Sequence, residues 1–384
     1  MTITQSSPRV LGLDTLRALA ICLVMLHHYV LFVSHSDTFG WVGEIGWVGV
    51  DLFFALSGYL IGNQIFAALR SPQGFALGHF YGRRLLRTLP NYLTVLALYF
   101  LSPAFRNDLT LPPLWKFLTF TQNINLEPGT AFSHAWSLCI EEQFYVLLPA
   151  AALVIATFRR SLRWAWSAIA LTVAIGMLTR GVIWNELVDG KASALNHYYK
   201  YIYYSSFCRF DELLAGVVLA LLKNYHGGAW RRLTAHGNLA LAAGLALGAL
   251  TFALFLSDHY GLAMTLLGYP MLAISFGLLI VAALGEKSVL RTARIPGAGS
   301  MALWSYAIYL THKQVAILAA EPLAARGYGP ESPVAICVSM ALAVLSGWVL
   351  YRLVEAPFMA LRNRLLPTNA GEFRAPAGLT AQPR

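Results

Sequence analysis

The segment LDTLRALAICLVMLHHYVLFV, starting at Leu11, is apolar enough to cross a bilayer, yet it carries Asp14 and Arg17 at its start and His27 and His28 inside it. Ionisable groups there are costly and need a partner, a water-filled cavity or a task. Arg17 and His28 are eleven residues apart, which on a helix places them on one face about 16 Å apart, with His27 on another. Imidazole is the side chain suited to moving protons near neutrality. Two readings follow: a working face with Arg17 and His28 at its ends, or an arginine snorkelling to the surface beside Asp14 while the histidines are satisfied in a core.

Other segments carry polar groups of the same kind. HAWSLCIEEQFYVLLP puts Glu141 and Glu142 in the outer half of an apolar helix, where one carboxylate is expected to orient or charge-balance an imidazole. The plainer alternative is acidic preference near a helix N-terminus. SMALWSYAIYLTHKQVAILAA carries His312 and Lys313 just past its middle, so His28, Glu141 and His312 are expected at comparable depth, lining an outer polar chamber. HFYGRRLLRTLPNY clusters Arg83, Arg84 and Arg87, the last two at i, i+3 spacing. Paired guanidinium groups suit phosphate oxygens, although ordinary inward-facing positive charge also explains them. A phosphate clamp at one mouth, a polar track along the first helix and a His/Glu chamber beyond it would fit a coenzyme A thioester, with its phosphorylated head and long thin arm.

These groups must be positioned by helices in lipid. The 384 residues are 57% hydrophobic and only 12% charged, more apolar surface than a soluble chain of this length can hide. About ten apolar stretches reach spanning length, among them Thr15 to Val33, a short third one at Leu89 to Leu101 or starting inside RRLLRTLP, Leu138 to Phe158, Ser206 to Leu222 and Ser300 to Ala320. The expected fold is therefore all-α, a polytopic integral membrane helix bundle without a soluble accessory domain. Residues 1–366 would form the transmembrane domain and 367–384 a disordered cytoplasmic tail. The net charge of +10 points to membrane orientation rather than nucleic acid. Lys and Arg concentrate in one alternating set of connections (Arg70, Arg83, Arg84, Arg87, Arg231, Arg232, Lys287, Arg291), and few, such as Lys116, Lys200 and Arg209, fall in the other. Both termini are accordingly expected in the cytoplasm. Cys22, Cys139, Cys208 and Cys337 are scattered like apolar fillers, and the N-terminus lacks the pattern of a removable signal peptide. No metal cluster or nucleotide-binding loop is visible, so neither metal nor ATP is invoked.

The chain resembles the membrane acyltransferase family 3, whose members acylate surface polysaccharides, lipid-linked sugars, peptidoglycan and macrolides. The matching blocks are LDTLRALAICLVMLHH, with its Arg-x10-His, GVDLFFALSGYLI, FYGRRLLRTLP, with its Arg-x-x-Arg, and WSLCIEEQFY; FCRFDELLAG, SYAIYLTHKQV and VEAPF match more weakly. The blocks keep the family's order from about Leu11 to Phe358. The resemblance implies function at Arg17, His28, Arg84, Arg87 and Glu141, with Trp136, Ser137, Glu142, Tyr145 and His312 as supporting candidates. Where many relatives carry His-Trp-Pro, this chain has His312-Lys313-Gln314. The secreted esterase-like domain that some relatives carry is not expected here.

The function expected is transfer of an acyl group, acetyl first, from cytoplasmic acyl-CoA to a hydroxyl of a carbohydrate or glycosylated acceptor, in the bacterial cytoplasmic (inner) membrane. No bound cofactor is expected, acyl-CoA being a cosubstrate, and the partners are lipid bilayer, donor and acceptor, with oligomeric state open. His28 would be general base or carry the acyl group itself, and Glu141 would orient it or bond another ligand group. Arg17, Arg84 and Arg87 would hold the donor. The tyrosine-rich NHYYKYIYYSSF, residues Asn196 to Phe207, reads either as a surface for stacking sugars or as an interfacial aromatic belt. Rival classes are a secondary transporter of an anionic solute and a noncatalytic scaffold.

Overall fold

The computed structural model describes residues 10–159 and 161–367. All but the first residue of the tail expected to be disordered lies outside the described residues. In lipid an apolar chain can satisfy its backbone only within helices or a closed barrel. Here it takes helices, with no strand among the described residues. The long ones are α1 (Leu11–Ser34), α2 (Val48–Arg70), α3 (Leu77–Leu101), α4 (Ser133–Phe158), α5 (Leu162–Val188), α6 (Asp211–Tyr225), α7 (Gly237–Ser257), α8 (Met264–Leu284), α9 (Ala298–Ala324) and α10 (Pro333–Leu365).

Seven of these, α1, α2, α4, α5, α7, α8 and α10, are long and apolar enough to cross a membrane by length and composition. The remaining three correspond to expected spans that fall outside that measure. α3 and α9, of 25 and 27 residues, carry the arginines and the His-Lys pair, and α6 has 15 residues. One boundary matters for function. α3 begins at Leu77, before both expected starts, Leu89 and the RRLLRTLP segment, because HFYGRRLLR continues the helix N-terminally and only Pro90 interrupts its hydrogen-bond ladder. Arg84 and Arg87 therefore lie inside a long helix.

Burial ranks the helices. α2 and α8 are interior, with 61% and 67% of their apolar windows buried, whereas α5 is 11% buried and turns Leu171, Ile175, Leu178 and Val182 outward. Such an exposed aliphatic face needs lipid as its solvent. α1 packs against α9 and α2, and α2 lies along α6. That last contact depends on two reciprocal glycines. A Cβ on Gly58 would stand 1.9 Å from the Leu213 carbonyl oxygen, and one on Gly216 would stand 2.3 Å from that of Ala55. Small residues let helix backbones touch where no hydrophobic drive separates helix from lipid.

Two buried ion pairs fasten the same region. Arg180 of α5 grips Asp211 at the start of α6 with both terminal nitrogens, at 2.5 and 3.2 Å, and donates to the Cys208 carbonyl at 2.7 Å. Arg209, expected among the loop charges, is fully buried and donates to Asp51 of α2. Its guanidinium also lies over the rings of Tyr269 and Tyr203, 4.3 and 4.7 Å from their centroids. Short-range pairing thus corrects the surface reading of Arg209.

Candidate active site

His28 of α1 meets His312 of α9 where the two helices pack. His28 Nδ1 lies 2.7 Å from His312 Nε2, and His312 Nδ1 lies 2.9 Å from the Ile308 carbonyl oxygen one turn earlier. A third ring, His134 at the start of α4, stands edge-on to both, with centroids 6.0 Å from His28 and 5.8 Å from His312. His134 is 3% exposed and neither of its ring nitrogens is hydrogen-bonded. Lys313, 2% exposed, donates to Ser133 Oγ at 3.1 Å and sits 3.8 Å from the Phe32 ring centroid. The chamber thus gathers three imidazoles and an ammonium, and among the described residues no carboxylate hydrogen-bonds any of the three rings. Buried polar groups are normally satisfied, and the two nitrogens of this ring depart from that rule.

His134 is not among the residues singled out from the sequence, although it opens the segment HAWSLCIEEQFY. Its signal is the spacing: His134, Ser137, Glu141 and Tyr145 recur at three, four and four residues and share one face of α4. Ser137 Oγ is 2.6 Å from Tyr309 Oη, which donates to the His134 carbonyl at 2.6 Å. Further along the stripe, Glu141 accepts from Ser57 Oγ on one carboxylate oxygen and from Tyr145 Oη on the other, each at 2.9 Å. The Arg84 guanidinium then covers the Tyr145 ring at 3.8 Å, with Nη2 3.8 Å from Glu142.

This geometry corrects three expectations. Glu141 is not level with His28 and His312: it lies seven residues beyond His134, roughly 10 Å along α4, because that helix already begins at Ser133. Its partners are Ser57 and Tyr145, and the group bonded to His28 is His312, so no carboxylate orients this imidazole. The polar track also does not run along α1. Between Arg17 and His28 the same face carries Ile21 and Val24, 0% and 1% exposed and packed in the core, while Arg17 lies 3.7 Å from Asp14. The connecting stripe belongs to α4, where successive turns carry polar groups.

At the arginine end, Arg87 is exposed and Arg83 donates to the Leu366 carbonyl. Arg362 of α10, which no sequence motif singles out, interacts electrostatically with Arg83, Arg84 and Arg87. Glu141, Glu142 and Glu355 are the carboxylates facing this cluster. Four arginines thus face three carboxylates, and positive charge is in excess.

At the histidine end, a cavity is lined by His28, His134, Trp47, Trp136, Tyr203 and His259. Trp136 packs on Tyr203 at 4.8 Å and on Tyr204 at 5.4 Å between centroids, and Trp47 on His259 at 5.0 Å. Three residues of the tyrosine-rich segment, Tyr199, Tyr203 and Tyr204, face the cavity, and Tyr198 is buried with its hydroxyl 3.2 Å from that of Tyr269. Tyr203 and Tyr198 are therefore interior rather than part of an interfacial belt. His259, in the loop between α7 and α8, is pushed down to about 4, first by burial and then by His27 and Arg209, so it is neutral at physiological pH.

A family model described as an acyltransferase domain matches residues 10–352, nearly the whole chain. The chain belongs to acyltransferase family 3. Among its relatives, peptidoglycan O-acetyltransferase OatA of Listeria monocytogenes is 28% identical over 55% of this chain and 33% of its own length. YrhL of Bacillus subtilis, provisionally named a peptidoglycan O-acetyltransferase, is 26% identical over 82% of this chain and 50% of its own. O-acetyltransferase OatA of Staphylococcus aureus is 28% identical over 56% and 35%. The chain thus spans a third to a half of the length of these relatives. No solved structure matches it. Family and helices together make it a multi-pass membrane protein.

Proposed function

We propose that this acyltransferase-family protein moves an acyl group, acetyl in the first instance, from acyl-CoA to a hydroxyl of a sugar-containing acceptor at the bacterial inner membrane. The observation that carries the reading is the pair of unlike polar ends joined by one stripe of α4: an arginine cluster at one end and a His28 cavity walled by Trp47, Trp136 and Tyr203 at the other. Arg84, Arg87 and Arg362 hold the donor's phosphates on the cytoplasmic side, where both chain termini also lie. The aromatic walls of the cavity stack on acceptor rings. Two of the relatives carry peptidoglycan in their names, so envelope glycan is the first acceptor to try.

In the reaction, His28 Nε2 takes the proton of the acceptor hydroxyl as its oxygen bonds to the thioester carbonyl carbon. The C–S bond then breaks, and the proton held on His28 passes to the departing thiolate. His134, with both nitrogens unbonded, supplies a hydrogen bond to the reacting oxygens.

Membranes carrying wild type, His28→Ala and Arg87→Ala proteins, given acetyl-labelled acetyl-CoA and glycan acceptor, test this. Transfer is expected to fall about 10²- to 10⁴-fold in His28→Ala and, in Arg87→Ala, to need more donor. Full transfer by His28→Ala at equal expression sinks the mechanism. Donor-independent uptake of an anionic solute by purified protein would favour transport, and label fixed on the wild-type protein by donor alone would replace general base by an acyl-histidine.

A further inference from the structure

The contact between His28 and His312 determines which nitrogen of each ring carries the proton. His312 Nδ1 is 2.9 Å from the Ile308 carbonyl oxygen, and a carbonyl only accepts, so that nitrogen is the protonated one. A neutral imidazole has one N–H, which leaves His312 Nε2 as an acceptor. The atom 2.7 Å away, His28 Nδ1, must then be the donor. Its own proton being there, the His28 ring keeps its lone pair on Nε2. The ring arrangement agrees. The planes are within 2° and the centroids 4.9 Å apart, a separation taken up by the two ring radii and the 2.7 Å bond, so the rings lie edge to edge in one plane. An in-plane lone pair meets an in-plane N–H along this line.

The alternative, a doubly protonated His312 donating to His28, would bury a second cation beside Lys313. His27 and His134 are the remaining rings nearby, and no carboxylate bonds any of these imidazoles among the described residues. An unpaired buried cation there is strongly disfavoured.

We infer that His312 is the positioning residue for His28: by accepting the Nδ1 proton in line it holds His28 in the tautomer whose Nε2 can take the acceptor's proton, and it disperses the charge when His28 becomes imidazolium. The Ile308 carbonyl anchors His312 in turn, so the relay runs from helix backbone to imidazole to imidazole. It fills the place that a carboxylate takes beside a histidine in water-exposed sites, at a lower desolvation cost in a membrane helix. It also accounts for Glu141 being elsewhere. The inference rests on the proposed role of His28 as base.

Three variants test it alongside His28→Ala, each checked for folding by its thermal midpoint in detergent. His312→Gln keeps an acceptor near the Nε2 position; His312→Leu fills the space without one; His312→Asn has an amide too short to reach. Transfer by the Leu and Asn variants is expected to fall about 10²-fold in kcat with KM for donor and acceptor unchanged, and Gln to recover at least about 10-fold of that loss. Should Leu fail to fold, Asn serves as the acceptor-free control. Wild-type kcat in a folded Leu or Asn variant, or a Gln variant no better than they are, overturns the relay. If those results come with an inactive His28→Ala, the base reading stands and only the relay falls; full transfer by His28→Ala removes the base reading itself.

Discussion

Two clusters of polar side chains sit in the interior of this bundle and are built on opposite rules. In the cluster at the starts of α2 and α6, charge meets charge: Arg180 grips Asp211 and Arg209 donates to Asp51. In the chamber between α1, α4 and α9, imidazole meets imidazole, Lys313 bonds only a hydroxyl and lies over a ring, and the ring nitrogens of His134 carry no hydrogen bond. Groups that answer one another hold helices in place, while groups left unanswered in a cavity are available to something that binds there. Pairing, rather than polarity or burial, separates architecture from chemistry in this protein. The first cluster is not fully satisfied either, since both oxygens of the buried Glu212 lack hydrogen bonds, but Glu212 lines no cavity with His28.

The sharpest way to break this contrast is to remove one member of a pair. Arg209→Leu leaves Asp51 charged and alone, and is expected to cost about 3–5 kcal/mol, read as a lowered thermal midpoint in detergent. The double variant Arg209→Leu with Asp51→Leu should recover most of the loss; an unchanged midpoint in the single variant would show that the pair is not a fastening. His134→Phe should behave the other way. It keeps a ring in the packed space and removes only nitrogens that carry no hydrogen bond, so the midpoint should stay near wild type, while acyl transfer falls about 10²-fold, or about 2.7 kcal/mol. A destabilised but fully active His134→Phe would place the imidazole in the architecture.

The third test uses pH at the cavity rim. His259 is held at about 4 against a usual value of 6.5, with His27 and Arg209 as the charged or titratable groups facing it. Its buried neutral ring contributes stability above pH 6.5, and that contribution is lost as pH falls toward 4, because the unfolded chain binds the proton first. A decline of about 2 kcal/mol across this window is expected, shrinking in His259→Gln; an identical acid slope in both proteins would rule His259 out as its source. The smallest effect is expected at the arginine end. Glu142→Gln removes the carboxylate nearest Arg84 and should lower the donor KM about 3-fold with kcat unchanged, as loss of a partly exposed competing ion pair would. A raised donor KM would mean that Glu142 positions Arg84 instead of competing for it.

Much of the fold was legible in the sequence because lipid imposes simple rules. Apolar length decides where helices cross, which is why the expected spans at Ser206 and Ser300 correspond to α6 and α9 within a few residues. The start of α3 was not legible, since an arginine-rich turn preceding a span looks the same whether it is loop or helix. Within the site, His28, His312, Trp136, Ser137, Glu141, Glu142, Tyr145 and Arg84 were all singled out; Ser137 bonds Tyr309, and the structure finds each of the others in contact with another of them or with the cavity. Arg17 stands apart, paired with Asp14 across an apolar stretch of α1.

What the sequence determined by itself was the solvent, the helices and the residue types able to do chemistry, because composition and periodicity act locally along the chain. Partnership was decided only in three dimensions. Helical phase puts Arg17 and His28 on one face, but it takes no account of Ile21 and Val24 filling that face, nor of α9 bringing His312 within 2.7 Å of His28. A hydrogen bond between residues 284 apart has no signature in either segment alone. Its direction joins a local contact to a distant one: the Ile308 carbonyl one turn back in α9 occupies His312 Nδ1, and the packing of α1 on α9 brings His28 Nδ1 to the nitrogen that remains.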